Sequence, residues 1–163
     1  MVLRLKRSGA TYELQDTKGR QPLLKAEWVI KAHSLNDRKF EAKTLILKNP
    51  DDSTFAEAYL KPKKSFLSFE WNDQYILTFR NQAYILYCAS FWKRLWKLRA
   101  GTDCFLYKKG FWSLRPQVFK NDDCFLNFDD DLISASKKAS LEAIKTGVTI
   151  HLTLNKPWIE VVF

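Results

Sequence analysis

Apolar and polar residues alternate with a period of two along most of the chain, the spacing of strands with one buried face. Segments 2–7, 11–15, 40–47, 55–60, 65–71, 75–80, 83–88, 91–98, 104–107, 111–114 and 124–128 all read as strands. Turn-forming residues separate them: Asp16-Thr17-Lys18-Gly19, with Gly19 suited to a positive φ, then Asn49-Pro50-Asp51-Asp52-Ser53, Asn72-Asp73-Gln74, Asn81-Gln82 and Ala100-Gly101-Thr102-Asp103. Residues 22–32 fit either a strand or a short helix. Strands of this length at a spacing of roughly 8–12 residues predict a closed barrel or a sandwich. Their content of Phe, Tyr, Trp, Ile and Val suits a pleated, half-buried surface.

One stretch breaks the alternation. Residues 135–145 contain no helix breaker, Asp131 or Ser134 is placed to cap them, and Gly147 follows where a left-handed C-terminal residue belongs. The alternation then resumes over 148–154, Val-Thr-Ile-His-Leu-Thr-Leu, which predicts a strand, and 158–163 predicts another. The expected fold is therefore mainly β: an antiparallel barrel or sandwich of about ten to twelve strands with one helix near the C-terminus. No linker-like stretch divides the 163 residues, so a single domain over 1–163 is expected.

Charge changes the picture more than composition does. Lys and Arg number 27 against 18 Asp and Glu, a formal charge of +9, and aromatic residues make up 15% of the chain. The excess is concentrated: residues 90–120 carry +7, residues 1–89 carry +5 and residues 121–163 carry −3. The basic stretch holds Lys93, Arg94, Lys97, Arg99, Lys108, Lys109, Arg115 and Lys120, interleaved with Trp92, Trp96 and Trp112 among other rings. Basic heads beside rings suit acidic phospholipid at a membrane surface. They also suit stacked bases and phosphates of a nucleic acid. A solvated barrel edge, with lysines blocking edge-to-edge pairing, is the plain structural alternative. If 91–98 is one strand, Trp92, Arg94, Trp96 and Leu98 share one face, while Phe91, Lys93, Leu95, Lys97 and Arg99 share the other.

Other chemistry is sparse. Cys88, Cys104 and Cys124 form no C-x-x-C pair, and His33 and His151 are isolated, so neither zinc nor a disulfide framework is expected. The cysteines sit in apolar runs as small buried thiols. There is no glycine-rich phosphate loop and no nucleophile elbow. Asp129-Asp130-Asp131 reads as a helix cap rather than a cation site. Glu41-x-Lys43, with Asp16, Glu27 or Asp37 upstream, is the remote pattern of a metal-dependent nuclease. No catalytic residue, cofactor or metal is assigned. The start of the chain lacks a signal-peptide core and no apolar run is long enough to span a bilayer, so a cytoplasmic protein, peripheral to a membrane, is expected.

The hairpin Ser90-Phe91-Trp92-Lys93-Arg94-Leu95-Trp96-Lys97-Leu98, a turn at Gly101, then Phe105-Leu106-Tyr107-Lys108-Lys109-Gly110-Phe111-Trp112, resembles the tubby-like superfamily in its small bacterial, LURP-one-related branch, itself related to phospholipid scramblases. Trp71-Asn72-Asp73-Gln74-Tyr75-Ile76-Leu77 resembles the hairpin before it. Tyr12/Leu14 and Trp96/Leu98, each followed by a turn glycine, resemble two copies of the strand-turn unit such proteins repeat. The resemblance implies a closed antiparallel barrel of about twelve strands threaded by one apolar helix, and association with membrane lipid. The chain departs from it at the end, where 135–145 carries Lys137, Lys138, Glu142 and Lys145 and is not an apolar rod. Together these readings predict a non-catalytic binding domain. Lys93, Arg94, Lys97, Arg99, Lys108 and Lys109 supply charge, and Trp92, Trp96 and Trp112 pack or insert. A nucleic-acid-binding module or a protein-interaction domain is the alternative.

Overall fold

A computed structural model describes residues 1–19, 21–62, 73–109 and 115–155. Twelve strands close into one antiparallel barrel. They are β1 (Val2–Ser8), β2 (Thr11–Asp16), β3 (Pro22–Leu35), β4 (Arg38–Lys48), β5 (Thr54–Leu60), β6 (Gln74–Phe79), β7 (Gln82–Ser90), β8 (Leu95–Ala100), β9 (Asp103–Lys108), β10 (Gln117–Lys120), β11 (Asp123–Asp129) and β12 (Leu132–Ala135). Each strand pairs with its neighbours in sequence, and β12 closes the ring on β1 through Val2↔Ser134, Leu3↔Ile133 and Arg4↔Leu132. Closure leaves no open sheet edge.

Three of the connections place two successive residues at positive φ: Asn36-Asp37, Arg80-Asn81 and Asn121-Asp122. That is the signature of the two-residue turn whose twist matches the flanking strands. Gly101 also sits at positive φ, whereas Gly19 does not. There the Asp16 carbonyl accepts from the Gly19 N–H at 3.2 Å.

The alternation places one residue in two inside the barrel. Leu14, Leu24, Leu45, Leu47, Leu77, Leu86, Leu98, Tyr107, Phe128 and Ile133 are essentially inaccessible to water. The lumen is filled by α1 (Leu141–Leu154). This helix touches β4 and β5 on one side of the ring and β9 and β11 on the other, so it threads the barrel. It is buried all round: Ala143, Ile144, Thr146, Gly147, Val148, Thr149, Ile150, Leu152 and Thr153 cover every direction of the helical wheel. Ala56 and Ala58 of β5 face the same interior. Gly147 marks a close approach of helix to wall, because a Cβ there would lie 2.4 Å from Leu126 Cδ1.

The helix corrects the expectation for the end of the chain. Residues 148–154 are helical rather than extended, and Gly147 lies mid-helix rather than ending it. The cap is Ser140, whose Oγ accepts from the Ala143 N–H at 3.1 Å, while residues 132–135 form a strand. Three threonines explain the misleading alternation. Thr146, Thr149 and Thr153 donate their hydroxyls to the carbonyls of Glu142, Lys145 and Thr149, four residues back. Those bonds let a polar residue face a dry wall. Residues 22–32 resolve as strand. The strands expected at 65–71, 111–114 and 158–163 lie outside the described residues.

Because every connection reverses direction, turns alternate between the two ends of the barrel. The N-mouth, where α1 starts, carries the β2–β3, β4–β5, β6–β7, β8–β9 and β10–β11 turns. The C-mouth, where α1 ends, carries the β1–β2, β3–β4, β7–β8 and β11–β12 turns.

Candidate functional site

The basic-aromatic hairpin does not run as one strand. Pairing between β7 and β8 shifts between Cys88 and Ser90, and residues 91–94 leave the sheet as a turn at the C-mouth. Arg94 takes φ +50, the Arg94 N–H donates to the Phe91 carbonyl at 3.2 Å, and the Lys93 N–H donates to Ser90 Oγ at 3.3 Å. A further bond, Lys109 N–H to the Arg94 carbonyl at 3.0 Å, ties this turn to the end of β9. The side chains therefore project as a tip. Trp92 is 88% exposed, the largest such value for a large hydrophobic side chain among the described residues, and Phe91 is 52% exposed. Their rings meet edge to face at 5.5 Å.

Of the nine residues singled out from the sequence, five gather at this corner of the C-mouth: Trp92, Lys93, Arg94, Lys108 and Lys109. The first four are exposed and Lys109 is half-buried. Lys97 and Arg99 lie apart, on the outer wall of β8, opposite Leu106 and Cys104. Trp96 faces inward, packs against the core and leans on Tyr75 at 5.9 Å, so it belongs to the wall and not to an inserting surface. Trp112 lies outside the described residues. The shared face expected for Trp92, Arg94, Trp96 and Leu98 is thus cut in two by the turn.

Behind the tip is a polar group that the sequence did not single out. His151, on the last turn of α1, stacks on Phe128 with ring centroids 3.9 Å apart. Its Nδ1 lies 2.8 Å from the Tyr107 hydroxyl. Asn155 Nδ2 donates to the Tyr107 hydroxyl oxygen at 2.9 Å and to the His151 carbonyl at 2.6 Å. With that oxygen accepting from Asn155, whose Nδ2 also lies 3.3 Å from Nδ1, the hydroxyl proton is free to point at Nδ1, an arrangement that fits a neutral ring with its proton on Nε2. Burial pushes the His151 pKa down to about 4, helped by the charge of Lys109. Burial raises the Tyr107 pKa, and the bond from Asn155 partly opposes this. The group fastens the end of the helix to the β9 wall. Residues 44 and 48 positions apart make it, and only a correct helix assignment for 148–154 would have suggested it.

Other sequence candidates disperse. Asp129-Asp130-Asp131 occupies the β11–β12 turn, with Asp130 at φ +52, and caps no helix. Asp129 pairs with Arg115 at 3.1 Å and Asp131 with Arg4 at 3.7 Å. Glu41 is exposed on the β3–β4 hairpin with Asp37 in its turn, while Glu27 lies on the other face of β3 and Asp16 at the opposite mouth, so the four acids do not converge. Among the described residues no group of three His, Cys, Asp or Glu is placed to hold a metal ion. The cysteines are free; Cys88 and Cys104 are half-buried, and Cys124 is exposed rather than buried. Cys124 borders a cleft of about 650 Å³ at the N-mouth, walled by Lys120, Lys137, Lys138, Ser136 and Ser140. On the outer wall His33 stacks on Tyr59 at 3.8 Å and meets Thr44 Oγ1 at 2.7 Å through Nε2. Burial, with Lys31 assisting and Glu57 opposing, holds its pKa below the usual range.

The fold defines a closed twelve-strand antiparallel barrel threaded by a C-terminal helix, with one corner of one mouth both aromatic and basic. No helix among the described residues is long and apolar enough to cross a membrane. In comparisons with known proteins, no family model, no curated protein and no solved structure matches this chain.

Proposed function

We propose that this protein is a non-catalytic, tubby-like barrel that binds acidic membrane lipid from the cytoplasmic side through its β7–β8 tip. The observation that carries the reading is Trp92, 88% exposed at the apex of a turn with Phe91 against it and Lys93, Arg94 and Lys108 around it. A tryptophan in water is costly unless something covers it, and the bilayer interface is where an amphipathic ring beside basic heads is best satisfied. Each lysine or arginine held near an anionic surface adds about 1 kcal/mol at physiological salt. A convex tip with one prominent ring suits insertion into an interface better than it suits a strand of bases, which needs a groove and successive stacking platforms. The resemblance to tubby-like proteins points the same way, since it implies a barrel of this kind and lipid association.

Co-sedimentation with phosphatidylcholine vesicles, with and without phosphatidylserine, tests the reading. Binding is expected only with the acidic lipid, and it should fall at least tenfold in Trp92→Ser and in Lys93→Glu/Arg94→Glu. Equal binding to neutral vesicles, or binding unchanged by both variants, would sink it. So would a single-stranded oligonucleotide that binds through the same residues while vesicles do not.

A further inference from the structure

A second exposed hydrophobic side chain stands at the same mouth. β3 and β4 continue past Trp28, the last lumen-facing residue of β3, as a hairpin ending in the Asn36-Asp37 turn. On its lumen-side face, where the alternation points into the core one turn earlier, Ile30 is 75% exposed. Lys43 is its cross-strand partner and Lys39 lies further along the same face, opposite Ser34. The other face of the hairpin is occupied, with His33 and Phe40 packing against Tyr59. Ile30 therefore lies on the side that the rest of the barrel does not cover.

The ring order gives these features a geometry. The β3–β4, β7–β8 and β11–β12 turns all belong to the C-mouth and stand four strands apart from one another, a third of the circumference each. The first carries Ile30 with Lys39 and Lys43 flanking Glu41 on one face and Arg38 beside Asp37 at the turn, a net basic corner, and the second carries Phe91 and Trp92 with Lys93 and Arg94. The third carries Asp129, Asp130 and Asp131, and although Arg115 and Arg4 pair with the first and last of these, the corner keeps a net negative charge and, among the described residues, no exposed ring. A flat anionic surface can touch any two corners of such a triangle. It gains from the two that are apolar and basic, and it is repelled by the acidic one.

Resting on the lipid-binding reading above, we infer that the barrel docks on an anionic bilayer at two points, the Trp92 tip and the Ile30 hairpin. The barrel axis is tilted so that the Asp129–Asp131 corner points away from the lipid.

Three exposed-site variants test this by vesicle co-sedimentation, each first melted to confirm an intact fold. Ile30→Ser should weaken binding to phosphatidylserine-containing vesicles by about tenfold, the cost of losing one inserted aliphatic side chain. Asp130→Lys should change it less than Ile30→Ser does. If Ile30→Ser binds like the parent while Trp92→Ser fails, the second contact is wrong and the tip reading stands. If Asp130→Lys strengthens binding tenfold, all three corners approach the lipid and the tilt is wrong. If neither Trp92→Ser nor Ile30→Ser has an effect, the lipid reading and the docking geometry fall together.

Discussion

The two mouths of the barrel fasten the same helix in opposite ways. At the N-mouth the contacts are separate from one another: Ser140 caps the first turn, Arg80 reaches Glu142 at 3.0 Å in the open and Lys145 reaches Asn49 at 2.8 Å. The Arg80 and Glu142 side chains are more than half exposed, where an ion pair contributes little. At the C-mouth they gather around one dry hydroxyl: Tyr107, inaccessible to water, bonds to the half-buried His151 and Asn155 beneath the exposed tip. Buried polar groups act as a unit and are costly to leave half-satisfied. The comparison teaches that the end presenting the exposed tip holds the helix through one linked polar group, whereas the other end holds it through separate contacts. A tip that spends its hydrophobic side chains outward gains nothing from them in folding, so the anchoring comes from below.

Acid should break this asymmetry most strongly. The folded pKa of His151, about 4, lies below its ordinary value of 6.5, so between these pH values the unfolded chain binds the proton and the native state does not. Stability should therefore be intact above pH 6.5 and fall by about 3 kcal/mol as pH drops through the window to 4. Denaturant melts at a series of pH values measure this, and in His151→Leu the slope over that range should flatten. An unchanged slope in that variant would place the acid sensitivity elsewhere. Next in size is Tyr107→Phe, which removes the hydroxyl shared by His151 Nδ1 and Asn155 Nδ2 and leaves Asn155 on the His151 carbonyl. At neutral pH it should cost about 2 kcal/mol, the penalty of stranding buried polar partners. A loss below about 0.5 kcal/mol would mean that the network contributes no more than a surface bond.

The barrel wall was legible in the sequence because each strand has a wet and a dry face, which writes itself as alternation: Tyr12 and Leu14 inward, Thr11 and Glu13 less buried. The helix was not, for the opposite reason. A helix enclosed on every side has no polar face, so 148–154 shows no helical period, and Thr149 and Thr153 break the apolar run at strand spacing. The concentration of charge at 90–120 was likewise visible, yet its division was not. Nothing in the period-two pattern of 91–98 marks the register shift at Cys88/Ser90, which turns Phe91 and Trp92 outward and leaves Trp96 in the wall. Tertiary closure decides which side of a mixed strand is the inside.

The N-mouth offers the smaller and sharper half of the comparison. Ser140→Ala removes the cap bond to Ala143 and should cost about 1 kcal/mol, read as a lower midpoint with an unchanged denaturant slope. Glu142→Gln, which deletes the ion pair with Arg80, should cost only a few tenths, because both side chains remain largely in water. Neither variant should alter vesicle binding, since the β7–β8 tip lies at the other mouth. The decisive observation is the order of effects. If Ser140→Ala and Glu142→Gln together destabilise more than Tyr107→Phe, the helix is held chiefly from its start, and the linked network at the C-mouth is a passenger on a fold secured elsewhere.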